Sequence, residues 1–291
     1  MKRYLILISA IVACMVTPLS LYAGGRSKDA SPVMKDFKSW TVSGVAYDCA
    51  DFSGLTMARG GKRMVAVFNS AGAYWMNIPQ DGDNYLVFTP LWAAGTQYEM
   101  IKRDMEAVAV DPSNGDIYIA QERPSGKGGS VVYKGKSIYR LKAPAYDSEE
   151  LLYTFDDSIV PDGNSGLEGL SWMKKGKLVV GREGNRQNKP SPALMFYSVK
   201  KGLKGVMAVD PEIKQIAEVS YDKVRRCYWI LDSDYDKVLY RCSLDGKIID
   251  RYPVPFIKNA EAMYIDRPGK CIWIGSDQKP SMLYKIYFDN L

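Results

Sequence analysis

Histidine is absent from all 291 residues of this chain. That absence excludes Ser-His-Asp and Cys-His nucleophilic machinery, together with histidine-ligated zinc, iron and copper centres. Any catalysis must draw on carboxylates, a hard cation, lysine, tyrosine or arginine. Apolar spacing of helical period is also missing over any useful length from Lys35 to Leu291, which argues against helical bundles and helical solenoids. Concentrated positive charge is missing too. The formal charge is +6, but no basic run exceeds Lys200-Lys201 or Arg225-Arg226, so no nucleic-acid-binding face is expected. Cysteine is sparse, five in all, and nothing in the spacing resembles a zinc site.

The N-terminus has Lys2 and Arg3, an apolar stretch from Tyr4 to Val16, a break at Pro18 and a small residue, Ala23, before Gly24-Gly25. Charge, apolar length and cleavage context predict a signal peptide over residues 1–23, too short to span a bilayer comfortably. A second reading stays open: Ile11-Val12-Ala13-Cys14 resembles a lipoprotein box with Cys14 as the lipidated residue, although apolar sequence continues to Tyr22. Either route exports the protein to the periplasm or cell surface, and lipidation at Cys14 is the one membrane link expected. Residues 24–36 read as a flexible tether and 37–291 as one domain.

Export makes disulfides possible. Cys227 and Cys242 flank a hairpin centred between Asp234 and Tyr235, so a symmetric turn would set them opposite one another as a cross-strand bridge. The alternative is that both are small apolar core residues. Cys49 and Cys271 form a second candidate pair.

What is present is a phrase repeated five times, a carboxylate or serine, then a small residue, then an aliphatic one. It reads Ser53-Gly54-Leu55, Glu106-Ala107-Val108, Glu168-Gly169-Leu170, Ala217-Glu218-Val219 with the acid one place late, and Glu261-Ala262-Met263. After the phrase comes a turn, as in Pro112-Ser113-Asn114-Gly115, and then a β-branched and aromatic run such as Ile117 to Ala120 or Cys227 to Leu231. A further strand follows, such as Val238 to Cys242. Repetition at this length with short strands predicts an all-β propeller of about four strands per blade. Five blades are expected, with six as the rival count if Leu91 to Asp104 forms an irregular blade. The last unit is one strand short, and an open sheet edge is costly. Thr41 to Tyr47 is therefore predicted to supply the outer strand that closes the ring.

In such a ring the repeat-opening residues begin the innermost strands. Glu106, Glu168 and Glu261, with Glu218 and Ser53, are expected to face the axial channel at one mouth. A second ring is expected from the polar residue ending each blade's second strand: Asn69, Glu122, Glu183, Asp232 and Asp277. Two rings of acids around one axis repel strongly unless protonated or neutralised by a cation. Calcium is the natural occupant, because it takes six to eight oxygen ligands in flexible geometry. The competing reading is structural: acids that cap strand ends and bond to backbone amides between blades.

The succession Asp51-Phe52-Ser53-Gly54-Leu55, Met105-Glu106-Ala107-Val108 with Gln121-Glu122-Arg123, Leu167-Glu168-Gly169-Leu170 with Arg182-Glu183, Leu231-Asp232-Ser233-Asp234 and Ala260-Glu261-Ala262-Met263 resembles the SdiA-regulated protein family. It is distantly similar to the esterase-like phytase domain and to NHL-type propellers. The resemblance runs from about Trp40 to the C-terminus. It implies a five-bladed propeller exported in bacteria, with a calcium site held by Glu106, Glu122, Glu168, Glu183 and Glu261 as metal or pocket residues. The chain departs from the family pattern at Ala217-Glu218, where the family tends to have Ser-Gly.

Three functions fit. One is a calcium-stabilised propeller at the cell envelope that presents one face to a small-molecule or protein ligand. The others are hydrolases, of phosphate esters or of lactones and esters, with calcium as Lewis acid and Glu106 or Glu168 as base. Ser53, Asn69, Arg123, Arg182, Asp232 and Asp277 are the further candidate pocket residues.

Overall fold

The computed structural model describes residues 30–43, 51–92, 103–124, 133–161, 166–184, 190–233 and 237–291. Among these the chain is all-β and forms five antiparallel four-stranded sheets, the blades of a propeller. An N-terminal strand, β1 (Val33–Thr41), precedes the first blade of β2 (Phe52–Met57), β3 (Arg63–Phe68), β4 (Gly72–Asn77) and β5 (Phe88–Pro90). Blade two has β6 (Met105–Val110), β7 (Ile117–Gln121), β8 (Ser137–Leu141) and β9 (Glu149–Thr154). Blade three has β10 (Leu167–Lys174), β11 (Lys177–Arg182), β12 (Ala193–Ser198) and β13 (Gly202–Ala208). Blade four has β14 (Glu218–Asp222), β15 (Cys227–Asp232), β16 (Val238–Cys242) and β17 (Ile248–Pro253). Blade five runs β18 (Ala260–Asp266), β19 (Cys271–Ser276), β20 (Met282–Asp289), with β1 as its fourth strand. The innermost strands touch in cyclic order, β2 to β6, β10, β14, β18 and back to β2. The count is therefore five, not six.

Closure is by an N-terminal strand, as expected, but by a different stretch. β1 pairs antiparallel with β20 from Val33↔Asp289 to Thr41↔Met282, whereas residues 44–47 of the expected strand lie outside the described residues. The sequence Val33–Thr41 does not read as an apolar strand, because an outermost edge faces solvent and is protected by charge. Lys35 pairs with Asp289 at 2.9 Å and Lys38 with Asp81 at 2.7 Å. Residues 30–32, within the segment read as a tether, bond to blade four: Tyr252 Oη donates to the Pro32 carbonyl at 2.9 Å and Ser31 Oγ to Asp250 at 2.7 Å. The signal peptide, Cys14 and Cys49 lie outside the described residues.

The core is divided among the five junctions between consecutive blades. This explains why the second strands are apolar without a break: each is buried on both faces, and its alternate residues enter two different cores. On β15, Cys227, Trp229 and Leu231 pack towards blade five, while Tyr228 and Ile230 pack towards blade three. On β7, Ile117 and Ile119 pack towards blade one and Tyr118 and Ala120 towards blade three.

The same alternation overturns the Cys227–Cys242 bridge. Cys242 pairs with Tyr228, one residue away from the symmetric register, and a one-residue slip reverses the face. Cys227 lies in the core shared with blade five and Cys242 in the core shared with blade three. Both are buried free thiols, as is Cys271, and burial pushes the Cys227 and Cys242 thiols up to about 12.

The small residue of each phrase is set by close approach of neighbouring inner strands. A Cβ added at Gly169 would stand 2.6 Å from the Val219 nitrogen and 2.8 Å from its Cγ1, whereas one at Gly205 meets nothing within 4 Å. Gly169→Ala is expected to destabilise by about 1–3 kcal/mol and Gly205→Ala by less than about 0.5 kcal/mol. Urea unfolding midpoints of the two variants check this; equal midpoints would contradict the packing argument.

Candidate functional site

The first residue of the phrase sits on a β-bulge in four blades. Pairing skips Ser53 between Phe52↔Phe68 and Gly54↔Val67, Glu106 between Met105↔Gln121 and Ala107↔Ala120, Glu168 between Leu167↔Arg182 and Gly169↔Gly181, and Glu261 between Ala260↔Ser276 and Ala262↔Gly275. A bulge leaves the extra residue outside the ladder and re-aims its side chain. In blade four the ladder opens on Glu218↔Leu231, with Ala217 N also donating to the Leu231 carbonyl at 2.8 Å, so Ala217 takes the first position of the phrase and Glu218 the small-residue position. Its carboxylate turns into the blade junction, where Oε1 accepts hydrogen bonds from Leu170 N at 2.9 Å and Val219 N at 2.8 Å. Gly169 leaves the room for it. The expectation that Glu218 lines the channel with the others is corrected on this ground.

Residues at the ends of the second strands hydrogen-bond across the blade junctions, two of them with backbone amides as the structural alternative expects. Each strand-end residue bonds to the entry of the following blade. Asn69 Nδ2 donates to Glu106 Oε1 at 2.8 Å, Gly166 N to Glu122 Oε1 at 3.1 Å, Gln215 Nε2 to Glu183 Oε1 at 3.0 Å, Ser233 Oγ to Glu261 Oε1 at 3.4 Å, and Asp51 N to Asp277 Oδ1 at 2.7 Å. This relay passes through all five junctions and stitches the ring at one mouth.

It also revises one position. The strand-end counterpart in blade four is Ser233, because Asp232 pairs with Val238 as Gln121 pairs with Ser137 and Arg182 with Ala193. Asp232 and Arg182 thus stand one residue before the ring, and successive side chains of a strand point to opposite faces. Arg182 accordingly donates to the Ile159 carbonyl at 2.6 Å and, through Nη2, to the Ser191 carbonyl at 2.7 Å. Ser53 Oγ donates to the Asp51 carbonyl at 3.0 Å.

Beyond the relay, the acids of blades two and three converge. Two groups bring ligand oxygens within 4.8 Å of one another: Asp104, Glu106 and Glu122, and Glu122, Glu168 and Glu183. Glu122 belongs to both. Asp104 was not foreseen. Its signal was positional, since it stands two residues before Glu106 as Asp51 stands before Ser53, and both accept the amide of the strand-end residue, Glu122 N and Asn69 N. Arg123 Nε donates to Asp104 Oδ2 at 2.8 Å and to Glu122 Oε2 at 3.1 Å. No described residue donates a hydrogen bond to Glu168.

Electrostatics follow from the crowding. Burial holds Glu106 well above the ordinary carboxylate range, and the charges of Asp104, Glu122 and Glu261 push it further. Glu168 is raised in the same way by burial and then by Glu106, Glu183, Glu122 and Glu261. Glu122 is raised by burial, with Arg123 opposing. Glu261 is in neither close group, but its charge also raises Glu106, Glu168 and Glu218. Such a constellation favours the protonated form or a cation with oxygen preference.

No protein-family model matches the chain, and no curated protein matches it. Among solved structures, a protein of unknown function from Bacteroides thetaiotaomicron VPI-5482 superposes with a TM-score of 0.50 at 10% identity, covering 89% of this chain and 77% of that one. A chain of a nidogen/laminin complex gives a TM-score of 0.49 at 10% identity over 78% of this chain and 73% of that one. Likeness at this identity extends to the fold alone. The fold is a β-propeller, consistent with a binding module, and the resemblance to the SdiA-regulated family rests on the motifs.

Proposed function

We propose that this propeller is an exported calcium-binding module of the cell envelope that offers its acidic axial mouth to a ligand or protein. The observation that carries the reading is the pair of carboxylate groups joined at Glu122. Asp104, Glu106, Glu122, Glu168 and Glu183 would hold the ion. They are all oxygen donors, with neither histidine nor cysteine among them, which fits a hard cation and not zinc or copper. Like charges gathered at low dielectric destabilise the fold by themselves, and a divalent ion converts that repulsion into cross-links between blades.

The test is a thermal melt in EDTA and in calcium. Calcium at about one hundred times its Kd is expected to add about 2.7 kcal/mol of stability, and Glu168→Gln is expected to lose most of that gain. Identical melts in EDTA and calcium, with no metal found by elemental analysis, overturn the reading.

Glu168, which no described residue serves as donor, favours a second reading in which it orients water as a base for ester hydrolysis beside the ion. Phytate, p-nitrophenyl phosphate and simple lactones, supplied with calcium, separate the two. Turnover that vanishes in Glu168→Gln supports the hydrolase; no turnover with calcium bound supports the binding module.

A further inference from the structure

We propose that Arg123 is a built-in competitor for the cation, a latch that sets the affinity of the site and leaves when the ion enters. The inference rests on the calcium reading above and concerns its regulation. The Nε proton of Arg123 is shared between Asp104 Oδ2 and Glu122 Oε2, at 2.8 and 3.1 Å. These carboxylates belong to the group that closes with Glu106, so the guanidinium occupies the oxygens an ion would need.

Two further observations separate this from an ordinary surface ion pair. Glu106 is only 6% exposed; its Oε1 accepts from Asn69, while no described residue donates to its other oxygen. Three carboxylates whose oxygens lie within 4.8 Å of one another carry, when ionised, more negative charge than one singly charged guanidinium neutralises. The Arg123 side chain is itself 57% exposed, so its charged end has a route to water that does not disturb the core. The backbone of Arg123 stays anchored through its N–H to Asp104 Oδ2 at 2.9 Å.

A doubly charged ion can also draw on Glu106, Glu168 and Glu183, which the guanidinium does not bond, and so outcompetes the latch. The exchange frees a positive group at the mouth only when the ion is present. Occupancy of the site is then linked to the charge shown to solvent.

Calcium titration of the full mature chain by calorimetry tests this, with wild type, Arg123→Gln and Arg123→Lys measured at low salt. Removing the competitor raises apparent affinity by the factor with which the closed latch was populated. Arg123→Gln is expected to bind calcium about threefold to tenfold tighter than wild type, with Arg123→Lys between them. The gain should shrink at high salt, because an exposed latch is screened. Wild type that binds calcium while Arg123→Gln binds equally or more weakly overturns the latch and leaves the calcium reading standing. Wild type that binds no calcium overturns that reading, and the latch falls with it.

Discussion

Glu149→Ala is expected to destabilise the protein by about 3–5 kcal/mol, although Glu149 lies outside the candidate site. Arg103 and Glu149 form an ion pair at 2.7 Å whose side chains are 0% and 2% exposed. Both Glu149 oxygens accept from Arg103 Nη1, and Gln121 Oε1 accepts from Nε at 3.0 Å and Nη2 at 2.7 Å. The guanidinium lies 3.7 Å from the Tyr133 ring centroid and 4.9 Å from that of Tyr139. Removing the carboxylate leaves a buried guanidinium charge without its counter-ion and without a route to water. Removing both charges is different, because a desolvated pair can often be replaced by apolar side chains at little cost. The double variant Arg103→Met, Glu149→Met is therefore expected to be more stable than Glu149→Ala alone. Urea midpoints check this, and a double variant at least as unstable as the single one would refute it. Arg103 immediately precedes Asp104, so the pair also anchors the entry to blade two.

The second large effect is on pH. Glu106, Glu168 and Glu218 all titrate well above the ordinary value of 4.5 in the folded chain, with burial the leading cause in each. The folded protein then binds more protons than the unfolded one at any pH between the two values, so stability falls as pH rises through that window. The favourable contribution is full below about 4.5 and is lost progressively as pH climbs through the folded-state values. On the proposed calcium reading the ion would replace protons on Glu106 and Glu168 but not on Glu218, whose oxygen is committed to Leu170 and Val219. In EDTA the melting temperature is expected to drop from pH 5 to pH 8, and calcium is expected to restore most of it at pH 8 while doing little at pH 5. A melting temperature in EDTA that is flat or rising over that range would contradict the buried-carboxylate account.

Blade number, strand order and the need for a closing N-terminal strand were legible because they are local and repetitive. The recurring phrase marked the innermost strands, and the unbroken apolar runs marked strands buried on both faces. The places of Glu106 and Glu168 within the repeat were legible for the same reason, since the bulge that re-aims them recurs with it. The closing strand itself was not, because Val33–Thr41 carries the charges of a solvent-facing edge.

The amino-acid sequence by itself determined the five-fold alternation of strands and the excess of acid near the axis, because side-chain parity along a strand needs only the order of residues. Register belonged to the tertiary structure. A bulge or a turn one residue longer moves a side chain to the other face, and neither is written in the strand it affects. That single step separated Cys227 from Cys242, put Ser233 in place of Asp232 and turned Glu218 into the blade junction.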